Sequence, residues 1–175
     1  MKNFRDILPE FDEFLFERGL SFNAVVIGGA AMQLMGLTDR VTKDCDILSP
    51  KITDELKDAS RAFAKLHSLS ENWLNNGPES LVRDLPASWE GNLVPLYRGK
   101  CLTLLTLSRI DFIRSKLFAF LDRGIDLQDL KHLMPTREEI ALVTGWLKER
   151  DGNPDWPEYV DIRLRELEKE LYGDS

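Results

Sequence analysis

Two aspartates, Asp44 and Asp46, flank Cys45 at the head of an apolar run, Cys45–Leu48, and fourteen residues separate Asp44 from the glycine pair Gly28-Gly29. Successive strand residues point to opposite faces, so Asp44 and Asp46 are expected on one face of a strand and Cys45 and Ile47 on the other. Their Cα atoms would stand about 6.5 Å apart, close enough for both carboxylates to reach one Mg²⁺. Side by side they repel each other and lose hydration, and a hard cation offsets both costs. A glycine turn before a helix supplies the complement, backbone N–H groups that can approach a phosphate at the helix N-terminus. Either motif alone reads equally well as an exposed edge strand or a plain turn. Together, at this spacing, they point to a Mg²⁺–nucleotide site.

A second charged group lies further along. Lys116 and Arg123 are seven residues apart and share a helix face. Gly124 ends that helix, and Asp126 and Asp129, three apart, open the next. Two cations and two acids are thus expected to face each other across a tight corner. One reading is an interhelical ion-pair cluster. The other gives Lys116, a compact point charge, to a triphosphate, with Asp129 or Asp126 orienting it or helping to activate an acceptor hydroxyl. Arg40 and Lys43, just before the acids, either hold phosphates or balance Asp39 and Asp44. His67 and His132 read as surface or packing residues, Cys45 as a core thiol, and Trp73 and Trp89 as packing residues more than base-stacking ones.

The elements that must position these groups follow from periodicity. Residues 3–18 form an amphipathic helix, with Pro9 expected to kink it or delay its start. Ala24–Ile27 is a short buried strand, Ala30–Met35 a helix ending at Gly36, and Cys45–Leu48 a strand stopped by Ser49-Pro50. Residues 52–67 are helical, with Leu56, Ala59, Phe63 and Leu66 on the inner face. Residues 70–92 are dominated by turn signals. Leu93–Tyr97 and Cys101–Leu107 flank Arg98-Gly99 as a hairpin. Helices follow at 109–123, 126–133, 136–150, where Thr136 and Glu139 make a capping box, and 158–172. Leu142, Trp146 and Leu147 are expected in the core. The fold class is α/β (α+β), a mixed sheet flanked by helices over residues 1–107 with a helical C-terminal region, 108–175, packed on it.

Composition narrows the function. The chain of 175 residues carries 43% hydrophobic residues and a net charge of −7, which argues against broad nucleic-acid binding through phosphate neutralisation. The charge is uneven. Arg98–Lys131 has seven Lys/Arg against four Asp/Glu, and Arg137–Ser175 six against eleven, so a local basic face remains available for phosphates. No apolar run approaches the roughly 20 residues of a membrane span. The two cysteines, Cys45 and Cys101, offer no disulfide framework, and a cytoplasmic protein is expected.

The stretch VIGGAAMQLMGLTDRVTKDCDIL resembles the signature of the polymerase-beta-type nucleotidyltransferases. SRIDFIRSKLFAFLDRGIDLQDLKHLMPT is similar to a second motif of the minimal bacterial members related to AbiE-type toxins of toxin–antitoxin systems. The resemblance covers roughly residues 20–150. It implies a nucleotidyltransferase-like fold, transfer of NMP from a Mg²⁺–NTP to tRNA, a protein or a small molecule, and a cognate antitoxin or toxin partner. Asp44 and Asp46 would hold Mg²⁺, Gly28 and Gly29 would meet phosphate, and Lys43, Lys116, Arg123, Asp126 and Asp129 would complete the site. Two features depart from the pattern. The strand that should carry a third carboxylate, CLTLLTL, has none, with Glu90 and Asp84 the nearest substitutes by sequence, and Gly-Gly-Ala stands where many members have Gly-Ser. A catalytically inactive binding, antitoxin or regulatory protein on the same fold is the alternative.

Overall fold

The computed structural model describes residues 3–39 and 42–173, and its architecture is α+β: a mixed five-stranded sheet and seven α-helices among the described residues. The chain divides into two units, Met1–Ser108 and Arg109–Ser175. The first contains α1 (Phe4–Phe16), β1 (Phe22–Ile27), α2 (Gly28–Met35), β2 (Cys45–Ser49), α3 (Asp54–His67), β3 (Leu74–Asn75), β4 (Val94–Arg98) and β5 (Leu102–Thr106). The turn-rich stretch resolves into β3 and two short 3₁₀ segments, Glu79–Asp84 and Trp89–Asn92. The sheet order is β3-β2-β1-β5-β4. β1 runs antiparallel to β2 and parallel to β5, β3 is parallel to β2, and β4 and β5 form the hairpin.

The core of this unit is aromatic. Phe11 of α1 packs 4.9 Å from Phe63 of α3 and 5.0 Å, edge-on, from Trp73, and Phe14 lies 5.3 Å from Phe63 (ring centroids). Such pairs add attraction beyond the area they bury. α1 runs through Pro9 unbroken. The ring removes a hydrogen bond to the Arg5 carbonyl, but Arg5 and Pro9 are both exposed, where water can serve that oxygen. The buried face, Ile7, Leu8, Phe11, Phe14 and Leu15, then decides the outcome. In α3, Ser60 and Ala64 join the inner face, and Leu66, expected there, is 71% exposed.

Two buried polar groups tie this scaffold together. Gln33 Oε1 accepts the Phe4 N–H at 3.1 Å, while the Arg5 guanidinium donates to the carbonyls of Gln33 and Leu34 at the end of α2. The start of α1 is thereby fixed to the end of α2, with a cation at a helix C-terminus where it is favoured. Asp12 accepts the N–H groups of Lys100, Cys101 and Leu102 at 2.7, 2.9 and 2.8 Å. It reaches them because Gly99 leaves no side chain against its carboxylate.

The second unit contains α4 (Arg109–Arg123), α5 (Leu127–Leu133), α6 (Arg137–Lys148) and α7 (Trp156–Tyr172). The Thr136–Glu139 capping box forms as expected. α7 starts at Trp156, two residues before its expected start, with Pro157 in its first turn, where a missing N–H costs nothing. Trp156 Nε1 donates to the Leu147 carbonyl at 2.9 Å, and Val160, Leu164 and Leu167 are buried. Leu147 is fully buried as expected, but Leu142 is 67% exposed, and Trp146 is half-buried between the Arg114 and Arg150 guanidinium groups.

Asp12 yields a stability prediction. Burial pushes its carboxyl up, but the three backbone donors and the Cys101 thiol outweigh this and hold the pKa below the ordinary 3.8. A depressed folded pKa gives stability that is present above the unfolded value and lost as pH falls through the folded one. Asp12→Ala is expected to cost about 1–3 kcal/mol at neutral pH, by stranding donors. Urea unfolding at pH 7 and near pH 3 should find the gap between wild type and Asp12→Asn shrinking at the lower pH.

Candidate functional site

The β1–β2 register builds the site. Ile27 lies opposite Asp46 and Val26 opposite Ile47, after an irregularity between Val25 and Val26. The chain leaves β1 at Gly28, in the left-handed region (φ +72°), and enters α2 at once. A Cβ at Gly28 would stand 2.7 Å from Asp46 Oδ2, closer than real Cβ contacts allow. Glycine is therefore required twice, by its backbone angle and by the carboxylate beside it. Ile27, the N-cap residue of α2, makes no side-chain capping hydrogen bond, and the close approach of Gly28 to Asp46 sets the first turn of α2 beside that carboxylate.

Asp46 is half-buried, and its Oδ1 accepts from Asn75 Nδ2 at 3.1 Å. Asn75 is its register partner on β3, and Asn75 Oδ1 accepts the Gly77 N–H at 2.7 Å. The amide is thus held from both ends and fixes the rotamer of the carboxylate. The loop before β2 closes over α2: a Cβ at Gly29 would come within 3.2 Å of the Thr42 side chain, and Thr42 Oγ1 donates to the Asp44 carbonyl at 3.3 Å. Neither Asn75 nor Thr42 stood out in the sequence, where both belonged to turn and loop stretches.

Asp44 departs from expectation. β2 begins at Cys45, so Asp44 precedes the strand and is exposed, and strand alternation does not pair it with Asp46. Cys45 is the core thiol expected, with its pKa pushed up by burial and by the neighbouring Asp46. Lys43 is exposed beside Asp44, and Arg40 lies outside the described residues. β5 offers no acid; Thr106 on that strand turns its hydroxyl to the Val26 carbonyl at 2.7 Å. Glu90 is exposed on a 3₁₀ segment, and the side chain of Asp84 is outside the description. No group of three or more His, Cys, Asp or Glu among the described residues forms a metal cage. Mg²⁺ is commonly held by one or two carboxylates together with substrate phosphates and water. Asp46, half-buried beside the first turn of α2, is a carboxylate that such a cation could share with a phosphate ligand.

Within the second unit, the Lys116 ammonium lies 2.6 Å from Asp129 and 3.2 Å from Asp126, its side chain only 11% exposed. The corner is built by Gly124 (φ +66°) and Asp126 (φ +69°), both left-handed. Arg123, expected at the same corner, pairs instead, loosely, with Asp122 at 3.8 Å. Among the other candidates, Trp73 is buried with Nε1 bonded to the Ser60 carbonyl, and Trp89 is buried. His67 stacks on Phe63 and pairs with Glu10, and exposed His132 meets the Gln128 carbonyl.

Two outcomes are expected. Gly28→Ala should destabilise by about 1–3 kcal/mol, since an L-residue is strained at this angle and the carboxylate must move; the denaturation midpoint checks it. Lys116→Met leaves two part-buried carboxylates facing each other and is expected to cost about 3 kcal/mol. The Lys116→Met/Asp126→Asn/Asp129→Asn triple variant should recover part of that loss.

The model of a family described as "Nucleotidyltransferase of unknown function (DUF6036)" matches residues 2–138, most of the chain. No curated protein and no solved structure matches it. Among the described residues no helix is long and apolar enough to cross a membrane. With the glycine turn, Asp46 and the mixed sheet all inside the matched span, the chain belongs to this nucleotidyltransferase family.

Proposed function

We propose that the chain transfers a nucleoside monophosphate from an NTP to an acceptor hydroxyl in a Mg²⁺-dependent reaction. The observation that carries this is the shared location of the Asp46 carboxylate and the first turn of α2 at Gly28. Backbone N–H groups of Gly28 and Gly29 would receive phosphate oxygens at the positive end of the helix. Asp44 and Asp46 would hold Mg²⁺, which when bound supplies charge neutralisation at the phosphates. Lys43, next to Asp44, would add a cation at the same edge. In the reaction the acceptor oxygen forms a bond to the α-phosphorus, and the bond to the bridging oxygen breaks. Pyrophosphate leaves with the electron pair, and the hydroxyl proton passes to a carboxylate or to water.

The motif resemblance gives Lys116 to the triphosphate, and the second unit sets a physical condition on that role. Its ammonium, held by Asp126 and Asp129, would meet phosphate only by sharing or giving up those carboxylates. Asp129, the nearer, is the group that would orient it, and exposed Arg123 would join only by leaving Asp122. The AbiE-type relation rests on these same motifs and carries with it the toxin–antitoxin setting and a tRNA or protein acceptor. A catalytically silent nucleotide-binding protein is the second reading, favoured by the strand β5, which bears no carboxylate.

Calorimetric titration of Mg²⁺–ATP, –CTP, –GTP and –UTP decides the nucleotide part. Metal-dependent binding is expected in wild type, weakened in Asp46→Ala by more than the ~10–100-fold typical of outer-shell changes. No binding of any nucleotide by folded wild type would overturn the proposal. Transfer of label from an α-labelled NTP then separates the enzyme from the silent binder.

A further inference from the structure

Asn75, which holds Asp46, also lines a cavity of about 250 Å³ together with Lys51, Lys57, Ser60, Arg61 and Asn72. Three cations meet there in a chain of net charge −7, against one lining acid, Glu71. Lys51 makes no ion pair among the described residues. Lys57 and Arg61 make only long pairs along their own helix, at 3.4 Å to Asp54 and 3.7 Å to Asp58. Pairs of that kind on an exposed helix face contribute little, so both cations are available to a ligand. Ser60 is 2% exposed, and its Oγ is buried without a hydrogen-bond partner among the described residues. A buried hydroxyl left unbonded is costly, and few are left so without a reason. Its backbone carbonyl is already taken by Trp73 Nε1, which fixes the turn of α3 that carries it. Asn76 holds the wall, donating to the carbonyls of Ile47 and Pro50 and accepting the Ile52 N–H.

Cations and side-chain amides around a space of this size are the chemistry of phosphate-ester recognition. We propose that this cavity binds a phosphate ester carried by the acceptor substrate, and that Asn75, bonded to Asp46, is the wall shared by the two substrates. The inference rests on the nucleotidyltransferase reading, which places the triphosphate at Gly28, beside Asp46 Oδ2, while Asn75 is bonded to Oδ1. The phosphate can belong to a small molecule or to an RNA end.

The test is calorimetric titration of inorganic phosphate, ribose 5-phosphate, and a short RNA with and without a 5′-phosphate. The proteins are wild type, Lys51→Ala/Arg61→Ala, Ser60→Ala and Asp46→Ala, each first checked by thermal melting. Wild type is expected to bind phosphorylated probes saturably. Binding should weaken about tenfold or more in Lys51→Ala/Arg61→Ala, as charge-assisted contacts are lost, and little in Ser60→Ala, whose hydroxyl is sealed from the cavity. Asp46→Ala, which frees Asn75 from its carboxylate partner, should weaken it less than Lys51→Ala/Arg61→Ala does. Saturation by ribose 5-phosphate identifies a small acceptor. Binding of the 5′-phosphorylated RNA alone identifies an RNA end. No binding by wild type, or equal binding by Lys51→Ala/Arg61→Ala, overturns the inference. So does phosphate binding lost in Asp46→Ala but kept in Lys51→Ala/Arg61→Ala, an outcome that leaves the nucleotide reading standing.

Discussion

The close approach of Gly28 to Asp46 is the constraint on which the first unit depends. A carboxylate fills the space that any other residue at position 28 would need for its Cβ. That approach requires Ile27 to sit opposite Asp46, a register reached only after the irregularity at Val25/Val26. Bulges of this sort bend a strand and re-aim its side chains, which is why they recur beside functional sites. It also requires the left-handed turn at Gly28, so that the helix starts within one residue of the strand. Strand register, backbone angle and carboxylate position are one coupled choice.

The rest of the unit holds that choice in place through backbone groups more than through side chains near the site. Trp73 is fully buried among Phe4, Phe11 and Phe63, and its carbonyl receives the Cys45 N–H at 2.5 Å. An aromatic core residue thus sets the first residue of β2, one position before Asp46. Asn75 follows two residues later on the same strand edge and grips the carboxylate itself. At the other end of the sheet, Asp12 does the same for the β4–β5 turn, binding three successive N–H groups from α1. Loop positions become well defined because buried groups accept or donate their hydrogen bonds.

The glycine pair and Asp46 were legible in the sequence because each is forced by local chemistry: a turn that needs positive φ, and an acid inside an apolar run. Asp44 was not, since alternation holds only inside a strand and β2 starts one residue after it. Lys116 met Asp126 and Asp129 as spacing required, but spacing fixes a face, not a rotamer, and Arg123 turned to its neighbour Asp122. Leu66 and Leu142 failed for a related reason: helical periodicity admits two adjacent faces, and tertiary packing chose Ala64 and Val143. Asn75 carried no signal at all. Its importance comes from pairing with a strand twenty-nine positions earlier, and in an Asn-Asn-Gly stretch it looks like turn chemistry.

The nature of the acid pair bears on how the proposed reaction would be assembled. An exposed carboxylate and a half-buried one, with no third ligand cluster among the described residues, make a poor cage for a bare hard cation. The same two negative charges would repel a triphosphate that came without metal. On the proposed reading each partner would be disfavoured alone and favoured with the other, a coupling free energy that is reciprocal: nucleotide would raise metal affinity by the factor by which metal raises nucleotide affinity. A built-in third carboxylate would loosen this dependence by holding metal before substrate. With no acid on β5, where Thr106 instead bonds the Val26 carbonyl, the nucleotide itself would form part of the proposed metal site. A chain built this way would keep its Asp pair metal-poor until an NTP arrives, so substrate binding and assembly of the catalytic charge would be one event.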